Sequence, residues 1–154
     1  MENTKLVQVL KSLEKKEYLE LRKFLGSPYF NHREDVILLY EQLAAAIKKK
    51  KPIPDKALLF ATIFPGEPYR DARFHLVMSY LFKLVEQYLS VQDFLQVENR
   101  RKLGLIRSYR QRNLPMHFHQ VANRLKKEIK EQPIRDSVFY EQSRNLIWEE
   151  YQMK

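Results

Sequence analysis

Histidine side chains are the first residues whose type and spacing could support chemistry, because imidazole binds metal ions and transfers protons near neutral pH. His117 and His119 form an H-x-H pair. That spacing brings two rings together on a β-strand, but on an α-helix it sets them about 200° apart. A helical metal site favours histidines four residues apart, and His32 and His75 supply no such partner. No metal site is therefore predicted.

The residues of other catalytic chemistries are also scarce. The chain has no cysteine and only 3 glycines, so thiolate chemistry and glycine-rich phosphate loops are not expected. Neither a G-x-S-x-G elbow nor a G-K-[ST] loop is present. Glu149 and Glu150 are predicted to be a solvated helix edge rather than an acid–base pair. The sequence thus predicts a protein that is not an enzyme and needs no cofactor.

Lysine and arginine form the most uneven chemical feature of the chain. The net charge is +9, and residues 99–130 alone carry 10 Lys and Arg against one acidic residue, Glu128. A solvated helical face usually mixes both signs, since ion pairs form between residues three or four positions apart. A surface of one sign attracts phosphate backbones, acidic protein segments or anionic lipid headgroups. The plainer alternative, a solvated face of a basic protein, stays open.

Helical spacing places most of these basic residues away from the apolar ones. Leu103, Leu105, Ile106 and Tyr109 define a buried side in the first half of the run, and the stripe that starts at Phe118 does so in the second. If the two halves form an antiparallel helical hairpin, their basic sides merge. The candidate anion or nucleic-acid surface consists of Arg100, Arg101, Arg107, Arg112, Arg124, Lys126, Lys127 and Lys130.

About eight helices are predicted to position these residues, because helix start and stop signals are frequent and alternating strand patterns are missing. Asp55 and Asp136 are predicted N-caps, and Pro115 suits a first helical turn. Asn31 with Glu34 resembles a capping box. The predicted helices cover about 5–13, 14–25, 31–50, 55–64, 71–98, 99–112, 114–132 and 136–154.

The fifth predicted helix is apolar nearly all round, with residues such as Phe74, Leu76 and Val77 on different sides. Such a helix needs neighbours on several sides, so we expect a long central helix in an all-α fold. The other helices are predicted to form antiparallel hairpins, either in a bundle or in a right-handed array of the TPR or HEAT type. Trp148 is expected in the core, or under a following repeat.

Two corners match at an offset of 40 residues, and both read F-x-G-x-P-Y. Gly26 is predicted to end its helix in the left-handed conformation, Gly66 marks the second corner, and the proline that follows each glycine prevents continuation. Tyr29 and Tyr69 are expected to pack across the joints, or else to line an exposed groove for a peptide. A period near 40 is typical of helical-hairpin repeats, although two independent helix-stop signals explain the match equally well.

The stretch 24–31 (FLGSPYFN), the corner at 64–69 and the stretch 107–112 (RSYRQR) resemble an uncharacterised bacterial family of all-helical, tetratricopeptide-like proteins of unknown function. The resemblance covers most of the chain. It implies a helical array that can continue past Lys154. It brings no catalytic residue, cofactor or defined partner.

The sequence therefore predicts one all-helical domain over 1–154, with 1–98 as a bundle and 99–154 as a TPR-like hairpin as candidate sub-units. The chain could also be the N-terminal part of a longer protein. The predicted function is a non-catalytic helical module that binds a protein partner in the cytoplasm. The alternative is sequence-independent nucleic-acid binding through the basic face of 99–130. No run approaches the roughly 18 apolar residues of a membrane span.

Overall fold

The computed structural model describes residues 1–154 and contains eight α-helices and no strand. The predicted all-α class and the number of helices are thus confirmed. Two compact units divide between Ser90 and Val91, inside the fifth helix, whereas the sequence suggested a boundary between 98 and 99. No helix is both long enough and apolar enough to cross a membrane.

The first unit is built around its third helix, on which three others pack. Tyr40 from that helix donates a hydrogen bond from its hydroxyl to the backbone oxygen of Tyr18, at 2.6 Å. Arg22 and Glu41 form an ion pair on the surface beside it. The ammonium of Lys48 lies 5.3 Å from the centre of the Tyr18 ring. The start of the second helix thus meets the end of the third, and the later Arg22 meets the earlier Glu41, so the two helices are antiparallel. The helices of this unit are α1 (Lys5–Ser12), α2 (Lys15–Leu25), α3 (Glu34–Lys48), α4 (Lys56–Ile63) and α5 (Asp71–Gln96), the last of these up to Ser90.

Burial on α5 is confined to one stripe, so the expectation of neighbours on several sides is wrong. The buried positions recur every three or four residues, whereas Leu76, Tyr80 and Leu89 are exposed. Near its end, Tyr88 packs edge-on against Phe24 of α2. The apolar residues of α5 therefore include an exposed set that sequence alone did not separate from the core. The buried stripe consists of Phe74, Val77, Met78, Leu81, Val85 and Tyr88.

The predicted helix starts are correct where an aspartate stands directly before the helix. The Asp55 side chain accepts a hydrogen bond from the backbone N–H of Leu58, at 2.8 Å. The Asp136 side chain does the same for Phe139, at 3.0 Å. Pro115 is the first residue of the seventh helix, as predicted. The first turn of a helix leaves backbone N–H groups without a partner. Each aspartate accepts a hydrogen bond from one of them, and the proline has no N–H to satisfy.

Asn31 is not the N-cap of α3, so the predicted capping box is wrong. Arg33 is the N-cap residue, and the buried Asn31 side chain holds the preceding loop instead. Its Nδ2 donates to the backbone oxygens of Leu25 and Arg33, at 2.9 and 3.0 Å. Its Oδ1 accepts from the backbone N–H of Arg33, at 2.9 Å. Every hydrogen-bonding group of this amide is engaged, which favours burial over capping.

The two corners that match in sequence differ in conformation. Gly26 has φ −81° and stays right-handed, so its predicted left-handed conformation is wrong, whereas Gly66 has φ +78°. Tyr69 packs edge-on against Phe60, at 5.4 Å between ring centroids. Tyr29 is 87% exposed, so the expectation that it packs across its joint is wrong. The match therefore does not extend to backbone geometry.

The second unit consists of the end of α5 and three further helices that all pack on one another. Lys102 pairs with Glu128 across the first two, which are antiparallel. Asn99 donates a side-chain hydrogen bond to Gln142 across the first and third, which are parallel. The three helices therefore alternate in direction along the chain. The helices are α6 (Glu98–Gln111), α7 (Pro115–Lys130) and α8 (Ser137–Met153).

Candidate protein-interaction surface on α8

A continuous apolar core fixes the three helices of the second unit. Its members recur at helical spacing on each element, which gives each helix one buried stripe. The prediction for the Phe118 stripe of α7 is correct, since Phe118 and Leu125 are fully buried. On α6 the prediction is wrong for Leu105, which is 41% exposed. The core consists of Leu103, Ile106, Phe118, Ala122, Leu125, Ile129 and Leu146.

Glu149 of α8 forms a polar contact beside this core. The residue is only 2% exposed, so its prediction as part of a solvated edge is wrong. Its two carboxylate oxygens accept hydrogen bonds from Nε of Arg107 and Nε of Arg110, at 2.9 and 2.8 Å. A buried carboxylate is costly unless paired in this way. The contact therefore ties α8 to α6 in one orientation.

The protonation of Glu149 follows from the same geometry. Burial raises the pKa of its carboxyl, but the hydrogen bonds and charges of Arg110 and Arg107 outweigh that effect. The pKa therefore lies below its usual value, and the ionised form is favoured at neutral pH. The site is a structural clamp, because both arginines already neutralise the only buried carboxylate.

A second polar contact, centred on Gln142, lies farther along α8 towards its N-terminus. The Oε1 atom of Gln142 accepts hydrogen bonds from Nδ2 of Asn99 and Nε2 of Gln132, at 3.0 and 3.2 Å. Gln142 is buried and lies seven residues before Glu149, on the same side of the helix. Two buried polar contacts thus fix both the rotation and the register of α8.

The predicted basic surface is divided among several directions. Arg107 faces α8, where it pairs with Glu149, and Lys126 of α7 pairs with Glu150 of α8. Arg100 pairs with Asp93. The helix α8 therefore supplies carboxylates to two of the eight predicted residues, from positions far along the chain.

The remaining predicted cations differ in pairing. Lys127 has a long contact of 4.0 Å with Glu131 on its own helix. The predicted residues without a carboxylate partner are Arg101, Arg112, Arg124 and Lys130, all of them exposed. Arg101 and Arg107 are six residues apart, so they point about 120° apart around α6. The eight residues therefore do not share one face.

The opposite side of α8 carries an exposed aromatic stripe, which sequence reasoning did not predict. The exposed fractions of its four members lie between 57% and 67%. Trp148 belongs to it, so the expectation that Trp148 lies in the core is wrong, whereas its burial under a following repeat stays a prediction. We call this set the α8 stripe: Tyr140, Ile147, Trp148 and Tyr151.

Helical spacing explains why the α8 stripe and the buried side do not overlap. Ile147 and Tyr151 follow Tyr140 at seven and eleven residues, which returns to nearly the same direction at about 100° per residue. Glu149 lies about 180° from Tyr140 by the same count. Both sides of α8 contain apolar residues at helical spacing. Gln142 and Glu149 lie on the buried side, although glutamine and glutamate are usually exposed, so sequence alone suggests the wrong side.

A shallow apolar groove adjoins the α8 stripe between α7 and α8. It has a volume of about 160 Å³. Ile147 belongs to both the groove and the stripe, and the charged residues of the groove lining are Lys126, Lys130 and Glu150. The remaining apolar lining comes from Ile129, Phe139 and Leu146. Ile147 therefore joins the stripe to the groove.

The histidines and the acidic residues do not form a comparable site. His117 contacts the Tyr109 ring at 5.3 Å between centroids, and His119 lies edge-on to Phe118. His75 lies 3.3 Å from an Asp71 oxygen on the surface of α5. The structure contains no group of three or more histidine, cysteine, aspartate or glutamate residues arranged to hold a metal ion.

Comparisons with known proteins add no assignment. No protein-family model matches the chain, and no curated protein or solved structure is significantly similar to it. The resemblance to a bacterial tetratricopeptide-like family therefore stays a prediction. The function has to be argued from the geometry of the surface.

Proposed function

We propose that the chain is a non-catalytic helical protein-interaction module and that the α8 stripe is its binding surface. The observation that carries the proposal is the exposure of Trp148, Ile147 and two tyrosines along one side of a helix whose other side is fixed by Glu149. Contiguous exposed apolar surface of this kind is typical of interaction sites. Tryptophan and tyrosine are also the residues that most often dominate binding energy at protein interfaces.

The rigidity of α8 supports the same function. A binding helix that is already fixed in rotation loses little conformational entropy when a partner docks on it. Gln142 and Glu149 provide that fixation from the buried side. The alternating directions of α6, α7 and α8 also resemble the helical-hairpin arrays that present extended binding surfaces. We include a cytoplasmic location in the proposal, since the chain uses no cysteine.

Nucleic-acid binding is the less favoured alternative. Of the eight basic residues predicted to form that surface, Arg100, Arg107, Lys126 and Lys127 have carboxylate partners. A cation that already contacts a carboxylate has less to gain from a phosphate, and binding to a phosphate backbone depends on the number of such contacts.

The test is recovery of binding partners from an extract of the source cells, treated with nucleases, using three forms of the chain. Wild type and Leu105→Glu should both recover the same protein in stoichiometric amount, and Trp148→Glu should not. Leu105→Glu is the matched control, because it adds the same charge at an exposed apolar residue of α6. Recovery of nucleic acid alone from an untreated extract, or equal recovery by all three forms, would contradict the proposal.

A further inference from the structure

The charges around the α8 stripe and its groove are unbalanced in favour of positive residues. Lys130 at the groove rim and Arg144, which lies between Tyr140 and Trp148 on α8, have no carboxylate partner. Arg135 lies over the Phe139 ring at 5.3 Å and has none either. A partner that covers the apolar residues would therefore meet free guanidinium and ammonium groups.

The carboxylates nearby are mostly engaged. Glu150 pairs with Lys126, and Glu131 contacts Lys127. Asp136 caps α8, and Glu149 is buried between two arginines. Glu141 is the one carboxylate of α8 that has no ion pair. Three unpaired cations against this one carboxylate leave the unpaired charge around the stripe positive on balance, which favours an acidic partner.

The shape of the surface favours a helix as the partner element. Tyr140, Ile147 and Tyr151 extend over about three turns of α8, or roughly 16 Å at 1.5 Å per residue. The groove between α7 and α8 lies beside them. Ile129 and Leu146 in its lining offer apolar contacts to the side chains of a partner. A helix that lays one apolar side into such a groove contacts it at positions i, i+4, i+7 and i+11.

We infer that the α8 stripe and the adjoining groove bind an amphipathic helix of a partner protein, with acidic residues beside its apolar positions. The acidic residues face Lys130 at the groove and Arg144 between Tyr140 and Trp148. This inference rests on the proposed function and adds the chemical class of the partner.

A second copy of this chain is a poorer occupant of the same surface. A two-fold symmetric pairing of α8 with itself, centred on the stripe, brings the two copies of Arg144 close together, because symmetric interfaces place the same residues on both sides. Like charges in such an interface are repelled. Glu141 is the one unpaired carboxylate that the α8 of a second copy offers, whereas an acidic helix offers several to Lys130 and Arg144.

Trp148 provides the readout, because it is the only tryptophan of the chain and belongs to the stripe. Two synthetic peptides of about four helical turns, roughly 15 residues, carry identical leucines at i, i+4, i+7 and i+11 and contain no aromatic residue. One has glutamate at the flanking positions and the other has lysine. Each is titrated into the full chain while the Trp148 emission is recorded.

The acidic peptide should shift the Trp148 emission to the blue in a saturable manner, and the lysine peptide should bind at least about tenfold more weakly. Arg144→Glu should reduce that preference or reverse it. Leu105→Glu, on α6 away from the stripe, should leave it unchanged. Equal affinity for the two peptides, no emission change with either, or a self-association of the chain in light scattering that the acidic peptide does not compete with would overturn the inference.

Failure here and failure of the proposed function are separate outcomes. If neither peptide binds while recovery of a cellular protein still depends on Trp148, the acidic-helix inference is wrong and the proposed function stands. If recovery does not depend on Trp148, the α8 stripe is not the binding surface, and the inference fails with the proposed function.

Discussion

The Nε atom of Arg107 donates a hydrogen bond to Glu149 at 2.9 Å, although the two residues are 42 positions apart in sequence. This contact gives Arg107 of the predicted basic surface a carboxylate partner, although its side chain stays 58% exposed, and, with Arg110, it fixes the rotation of α8. The rotation in turn decides which apolar residues of α8 stay exposed. The ion pair therefore links the pairing of one predicted basic residue to the exposure of the α8 stripe.

Removal of the Glu149 charge should destabilise the protein. We expect Glu149→Gln to lower the free energy of unfolding by about 1–3 kcal/mol, since it weakens two hydrogen bonds to charged groups at a buried position. Glu150→Gln is the matched control and should cost less than about 1 kcal/mol, because its pairing with Lys126 is largely solvated. Urea denaturation measures both. A smaller effect at Glu149 than at Glu150 would contradict the clamp.

The contribution of Glu149 should also depend on pH. Its pKa in the folded state lies below the ordinary value of 4.5, so the ionised group stabilises the fold above the unfolded-state pKa. That stability is lost as pH falls through the lower folded-state pKa. We expect the difference in unfolding free energy between wild type and Glu149→Gln to be full near neutral pH and to disappear below this window. A difference that stays constant from neutral to strongly acidic pH would show that the charge is not responsible.

The two glycine corners should respond differently to alanine. Gly66→Ala should lower the free energy of unfolding by about 1 kcal/mol or more, because Gly66 has φ +78°, a region that alanine avoids. Gly26→Ala should change it by less than about 0.5 kcal/mol, since the backbone is right-handed there. The added Cβ would lie 3.2 Å from Nη1 of Arg22, the end of a flexible side chain that can move. Thermal denaturation of the two variants tests this. Equal costs would indicate that both corners need glycine.

Local sequence signals predicted the helices well and the surfaces poorly. Asp55 and Asp136 were predicted correctly as caps, because capping depends on residues only three positions away. Asn31 has the same capping chemistry, but tertiary contacts with Leu25 bury it in the loop instead. Which signal prevails at such a residue depends on packing that the local pattern does not contain.

The candidate sites depend even more on distant residues. The basic residues of α6 were predicted to be unpaired because only Glu128 lies within their own run, whereas Glu149 reaches them from another helix. Trp148 was expected in the core because large apolar residues usually are buried. On a helix with apolar residues on two sides, periodicity gives the directions of both but does not show which one meets the neighbouring helices.

Nucleic-acid binding should be weak and sensitive to salt. We expect no saturable binding of single- or double-stranded oligonucleotides at about 200 mM salt, because contacts with few phosphates are lost over this range. Fluorescence anisotropy of labelled oligonucleotides measures this directly. Tight binding at that salt concentration that is lost on combined charge reversal of Arg101, Arg112 and Arg124 would instead support a phosphate-binding surface on α6 and α7.

Site-specific photocrosslinking in the source cells tests whether the chain binds a protein through the α8 stripe. A photoreactive phenylalanine analogue replaces Trp148 in one form of the chain and Leu105 in the other, both exposed apolar positions. We expect a discrete protein adduct from position 148 and none from position 105. No adduct at 148, or the same adduct in equal amount from both positions, would contradict binding through the α8 stripe.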